Sequence, residues 1–141
     1  MAIRQLSVFV ENKQGSLHEI TDTLAGAGIN LRSMCVADTS NYGIVRIIAD
    51  DPDKAKSLLD KEGHAANVRL INAFAVPDQP GGLANVLRLL EGNGVNIEYM
   101  YALVTGSDDA SIIIKTADLK KAAEVLEKTG VELIAAAELG K

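Results

Sequence analysis

Two turns in this chain carry residue types that could hold a small charged molecule. The first reads Glu11-Asn12-Lys13-Gln14-Gly15-Ser16-Leu17, and the second reads Pro77-Asp78-Gln79-Pro80-Gly81-Gly82-Leu83. In each, an alternating apolar run ends and a helical apolar spacing begins just past the glycine. Glycine lets the backbone approach a ligand closely. A helix start offers unpaired N–H groups and a partial positive charge, so a carboxylate is favoured there. Asn12 and Asp78 stand just before these turns and could accept from an ammonium group. Asn30 and Asn96 follow Gly-X-Gly segments, and an Asn amide both donates and accepts. Carboxylate and ammonium in one small place describe a free amino acid. The same glycines also suit plain turns, and Asn30 and Asn96 serve equally well as strand-end residues that hold a loop.

Other reactive types give weaker signals. His18 falls on the early turn of a helix and reads as solvent-facing, and His64 follows a helix-stopping glycine. Cys35 sits mid-strand and reads as a small buried hydrophobe, since a reactive thiol wants a basic neighbourhood and only Arg32 is near. Asp50, Asp51 and Asp53 suit a helix cap and a solvent face, because Pro52 opposes a calcium loop. Gly26-Ala27-Gly28 and Gly92-Asn93-Gly94 follow helices and lack a third glycine, so they end helices and do not cradle a dinucleotide. With no nucleophile–base pair, phosphate loop or metal-ligand cluster, no catalytic role, cofactor or metal is expected.

The chain has 141 residues, 48% hydrophobic and 23% charged, the proportions of a globular protein. Fourteen basic against 19 acidic residues leave a net charge of -5, so nucleic acid and anionic membrane are not expected partners. No apolar run nears the roughly 18 residues that span a bilayer. The start of the chain shows no signal-peptide pattern, and a cytoplasmic location is expected. One cysteine excludes an intrachain disulfide.

The elements that would position the two turns repeat. A shift of 66 positions places Val10 on Val76, Gly15 on Gly81, Leu17 on Leu83, Leu24 on Leu90, Gly28 on Gly94, Asn30 on Asn96 and Met34 on Met100. One further position aligns Asp51 with Asp118, Ala55 with Ala122, Leu59 with Leu126 and Gly63 with Gly130. The added residue belongs in the loop near Gly106-Ser107-Asp108-Asp109. The junction falls near Asn72, giving units 1–71 and 72–141.

Each unit follows one plan. Leu6, Val8 and Val10 alternate as in a strand. Leu17, Ile20, Leu24 and Ala27 recur at helical spacing, and Gly26 and Gly28 end that helix. Residues 30–38 and 41–49 read as strands, Asp51-Pro52 starts a second helix, and residues 66–71 form a fourth strand. In the second unit, Phe74 and Val76 belong to a strand, and Leu83, Val86, Leu87 and Leu90 to a helix. Ile97–Leu103 and Ser111–Lys115 follow as strands. Asp118 caps a helix, and Leu133–Ala137 is the last strand. The fold class is therefore α+β: βαββαβ twice, the ferredoxin-like order of antiparallel strands with helices on one face. Both faces of several strands carry apolar residues, as at Ile112-Ile113-Ile114, which predicts association between units and between chains.

Over nearly its whole length the chain resembles a tandem of ACT domains, a family of small regulatory ligand-binding modules. Asp78-Gln79-Pro80-Gly81-Gly82-Leu83 and Gly94-Val95-Asn96-Ile97 match the family's pattern of a polar residue, Pro-Gly-X-Leu and a Gly-φ-Asn-φ segment. The first unit departs from it at Gln14, where proline is usual, but keeps Gly15-Ser16-Leu17 and Gly28-Ile29-Asn30-Leu31. The resemblance implies an amino-acid site at the interface of paired units. Asn12, Gly15, Ser16 and Leu17 would work with Asn96, and Asp78, Gly81, Gly82 and Leu83 with Asn30. Gln14 and Gln79 would stand beside these sites, and Met34 and Met100 could adapt to a ligand side chain. It implies a homodimer with no enzyme activity of its own, acting on a partner metabolic enzyme. The alternative is a ligand-independent interaction module docking on such an enzyme. Purine-like effectors also stay open, with Tyr99 and Tyr101 as stacking candidates.

Overall fold

The computed structural model describes residues 2–37, 41–103, 109–136 and 138. Within them the elements run β1 (Ile3–Glu11), α1 (Ser16–Gly26), β2 (Leu31–Ala37), β3 (Tyr42–Ala49), α2 (Pro52–Lys61), β4 (Ala66–Val76), α3 (Gly82–Gly92), β5 (Ile97–Leu103), β6 (Ala110–Thr116), α4 (Leu119–Lys128) and β7 (Glu132–Leu133). The chain divides into two compact units, Arg4–Arg69 and one made of Leu70 onward together with the chain up to Ile3. The strands are antiparallel and the order is the double βαββαβ of a ferredoxin-like pair.

In the first unit the strand order is β2-β3-β1-β4. Val8 lies opposite Val45 and Val10 opposite Gly43. Val36 also meets Val45, and Met34 meets Ile47. Directly opposed residues share a sheet face, so Val8, Val10, Gly43, Val45, Val36, Ile47 and Met34 all point to one side. Helices α1 and α2 cover that side through Ile20, Leu24, Ala55 and Leu59, all buried. The β2 end of this face stays open, leaving Met34 and Val36 exposed.

The helices form where the caps and stripes direct. In α1 the buried positions are Ser16, Ile20 and Leu24, one every four residues. Leu17, expected in that stripe, turns away from the core and is 38% exposed. Helix α2 begins on Asp51, whose carboxylate accepts from the Lys54 N–H at 3.2 Å, with Pro52 in the first turn. Asp118 does the same for α4, accepting from the Lys121 N–H at 3.0 Å.

The second unit orders β4-β6-β5, with β7 on the other side of β4. Phe74, Val76, Ile112 and Ile114 meet Val86, Leu90, Ala122 and Leu126 in its helix-side core. Ile113 is fully buried although it faces the other way, which accords with the two-sided apolar pattern of β6.

Several boundaries differ from the sequence reading. The strand read at 66–71 and the one read at Phe74 and Val76 are one uninterrupted strand, β4, with no break at Asn72. An alternating apolar run gives no local sign that one strand serves two units. The last strand is two residues, Glu132–Leu133, in place of Leu133–Ala137; Ala137 lies outside the described residues. Gly26 and Gly92 stay helical, and the positive φ of +75° falls on Gly28 and Gly94. Cys35 is half-buried, on the same face as its cross-strand partner Arg46. The added loop residue was placed near Gly106, Ser107 and Asp108, and these three lie outside the described residues.

Candidate functional site

The two turns share one hydrogen-bond pattern. Lys13 N–H donates to Glu11 O at 2.9 Å, Ser16 N–H to Lys13 O at 3.3 Å and Glu19 N–H to Gly15 O at 3.0 Å. The corresponding bonds join Gln79 to Pro77 at 2.9 Å, Gly82 to Gln79 at 3.0 Å and Asn85 to Gly81 at 3.0 Å. Gly15 and Gly81 occupy the left-handed region at φ +89° and +87°, which only glycine enters without strain. Neither helix start has a side-chain cap. The N–H groups of Leu17 and His18, in the first turn of α1, have no partner within the helix.

In the first unit a cavity of about 310 Å³ opens beside the turn. Its lining divides by element. Glu11, Asn12, Lys13 and Ser16 come from the turn, while Val10, Leu17, Val36, Ala37 and Gly43 bring apolar or backbone surface. The turn is tied to the residue before β3, with Asn12 N–H donating to Asn41 O at 2.9 Å. The Lys13 ammonium sits 3.2 Å from the Glu11 carboxylate, both exposed. The site thus offers a cation, an anion, an amide and helix-start N–H groups at one rim, with methyl groups beyond. A second cavity of about 280 Å³ shares Val10, Glu11, Lys13 and Ser16, and adds Phe9, Glu19, Tyr42, Gly63, His64 and Ala65.

In the second unit the helix start presses on the turn. A Cβ at Gly82 would lie 2.2 Å from the Pro77 carbonyl oxygen. The equivalent Ser16 carries a Cβ and a hydroxyl, and lines both first-unit cavities.

Of the residues expected from sequence, Asn12, Ser16 and Leu17 line one cavity. Gly15 caps α1 between them, and Gln14 is exposed on the same turn. Met34 lies two residues before Val36 on the same side of β2, outside the cavity lining. Asn30 is exposed; its backbone N–H donates to the Asp50 carboxylate at 3.2 Å, and its carbonyl accepts from Asp50 N–H at 3.1 Å. In the second unit Asp78, Gln79 and Gly81 are exposed on their turn, Gly82 is buried and Leu83 is half-buried. Asn96 is exposed just before β5, and Met100 packs on the second core. Sequence reasoning missed Val10, Glu11, Lys13, Val36, Ala37 and Gly43 as lining residues. Glu11 and Lys13 lay in plain view in the turn. Gly43 gave one usable signal, a glycine inside an alternating strand, which marks a close approach.

Among the described residues no group of His, Cys, Asp or Glu could hold a metal ion. Among the described residues no helix is long and apolar enough to cross a membrane.

Comparison with known proteins agrees with the fold. A family model described as an ACT domain pair matches residues 1–141. The crystal structure of protein BT0572 from Bacteroides thetaiotaomicron is similar, with a TM-score of 0.93, 41% identity, and coverage of 100% of this chain and 97% of that one. The ligand-free regulatory subunit of aspartate kinase from Thermus thermophilus shares the fold at a TM-score of 0.66 and 17% identity, over 90% and 92% of the two chains. Its Thermus flavus counterpart gives 0.62 and 18%, over 89% and 90%. A search of curated proteins found no match. The chain belongs to the ACT family, as a pair of ACT domains.

Proposed function

We propose that this ACT pair is a non-catalytic sensor that binds a free α-amino acid beside the first unit's turn and acts in trans on a metabolic enzyme. The observation that carries the reading is the divided lining of the 310 Å³ cavity. An amino acid's carboxylate suits the N–H groups at the start of α1 and the Lys13 ammonium, because both favour an anion. Its ammonium suits Glu11 and the Asn12 amide oxygen. Its side chain then has apolar surface to cover. The Thermus neighbours are regulatory subunits of aspartate kinase, which supports action on a partner chain. A homodimer is part of the same reading.

The test is a thermal-shift series with each of the twenty amino acids at millimolar concentration. A ligand at 100 times its dissociation constant stabilises the native state by about 2.7 kcal/mol, a rise of roughly 9 °C for a chain of this size. The expected result is a rise with a few related amino acids, lost or strongly reduced in Asn12→Ala. The competing reading, a docking module without a ligand, draws on the exposed Phe9 and Tyr42. It requires no rise with any amino acid, and partner binding unchanged by Asn12→Ala.

A further inference from the structure

We infer that the first unit's cavity takes an amino acid with a branched aliphatic side chain, and that Gly43 and Val36 set the size it accepts. This rests on the amino-acid reading above. Among the described residues, the charged side chains in the lining come from the turn, through Glu11 and Lys13. The strands contribute Val10, Val36, Ala37 and Gly43, and α1 contributes Leu17. A ligand whose charged head is held at the turn must therefore bring its side chain against methyl groups. A charged side chain there loses water without gaining a partner, whereas an aliphatic one covers Leu17 and Val36, 38% and 46% exposed in the unliganded chain.

Gly43 makes the room. It is buried on β3, directly opposite Val10. A Cβ there would lie 3.1 Å from the Ala37 carbonyl oxygen, 3.6 Å from Val10 Cγ1 and 3.8 Å from Val36 Cγ1. It would enter the space between the strands that floor the cavity. The fold itself does not require this gap. Val76, the counterpart of Val10, lies opposite Ala110. In the same register Ala102 stands for Val36 and Leu103 for Ala37. The same three strands therefore close without a glycine and with a different set of side chains. The first unit's set is thus a feature of its site.

Calorimetric titration of the full chain with Val, Leu, Ile, Phe, Asp and Lys tests this. Val, Leu or Ile is expected to bind at least about tenfold more tightly than Asp or Lys, the order of discrimination an apolar pocket gives. Gly43→Ala should weaken the best aliphatic ligand by about 10- to 200-fold. Because the added methyl presses on the Ala37 carbonyl, Val36→Ala asks the same question by removing atoms; it should move the preference toward Phe. Tightest binding of Asp or Lys overturns the ligand class and leaves the amino-acid reading standing. An unchanged ranking in both folded variants overturns the role of Gly43 and Val36. Binding of none of the twenty amino acids removes the reading and this inference together.

Discussion

At the scale of single residues, the two turns share a backbone and part at one side chain. Gly15 and Gly81 do the same backbone work, at φ +89° and +87°. The next residue differs. Ser16 has room for its Cβ and hydroxyl, whereas at Gly82 a Cβ would overlap the Pro77 carbonyl oxygen at 2.2 Å. Backbone on both sides of such an overlap cannot give way without moving the start of α3. Gly82→Ala is therefore expected to destabilise the protein by about 1–3 kcal/mol, the range for forcing atoms into a packed site. Ser16→Gly should cost far less, since it removes atoms from a cavity rim. Urea unfolding of the two variants checks this, and equal costs would mean that the turns are interchangeable. Sequence placed both glycines in the same motif slot and could not see the difference. A distance from Cβ to a carbonyl five residues upstream depends on how tightly the turn closes.

At the scale of elements, the helices and strands were largely legible, because their causes are local. Asp51-Pro52 and Asp118 mark helix starts by cap chemistry, and both carboxylates accept the expected N–H bond. Leu6, Val8 and Val10 alternate and are buried together. What stayed hidden was set by pairing. Gly43 reaches the cavity because β3 lies beside β1 with Gly43 opposite Val10, and no turn motif states that register. Leu17 leaves the apolar stripe because α1 buries positions 16, 20 and 24 instead. A further link between elements is the Arg4–Asp53 ion pair, joining β1 to the first turn of α2. The hydrogen bond from the Arg4 guanidinium holds the Asp53 carboxyl below its ordinary range, and the same bond holds Arg4 above its own. For a carboxyl whose folded value is depressed, the added stability is present above the unfolded value of about 3.9 and is lost as pH falls through the folded value. Arg4 stays charged throughout that window. The stability gap between the wild type and Asp53→Asn should therefore narrow as pH drops below about 4. A gap that stays constant from pH 6 to pH 2.5, followed by denaturant midpoints, would show that the pair adds nothing. Both groups are exposed, so the effect is small and salt should weaken it.

At the scale of the whole molecule, one fold is written twice while the chemistry beside the turn is not. Three backbone bonds of each turn correspond, and the helix caps and core stripes repeat with them. The side chains around the turns have diverged: Glu11, Asn12, Lys13, Ser16, Val36 and Gly43 in one unit correspond to Pro77, Asp78, Gln79, Gly82, Ala102 and Ala110 in the other. The replacements remove the cation, exchange a neutral amide for a carboxylate, and take the Cβ from the helix start. The lost cation and the gained carboxylate disfavour a ligand carboxylate, and the lost Glu11 takes away a partner for a ligand ammonium. Asp78 repels an anion at the position where Asn12 does not, and a Cβ at Gly82 would collide with the Pro77 carbonyl oxygen. The expected stoichiometry is therefore one amino acid per chain, although the repeat alone suggests two. Calorimetry at protein concentrations well above the dissociation constant reads this number directly. A value near one, abolished by Asn12→Ala and untouched by Asp78→Ala, fits a sensor with one working turn and one that serves the fold. A value near two, halved by either substitution, would mean that the second turn opens for ligand despite the contact at Gly82, and that the asymmetry of the side chains tunes affinity without removing a site.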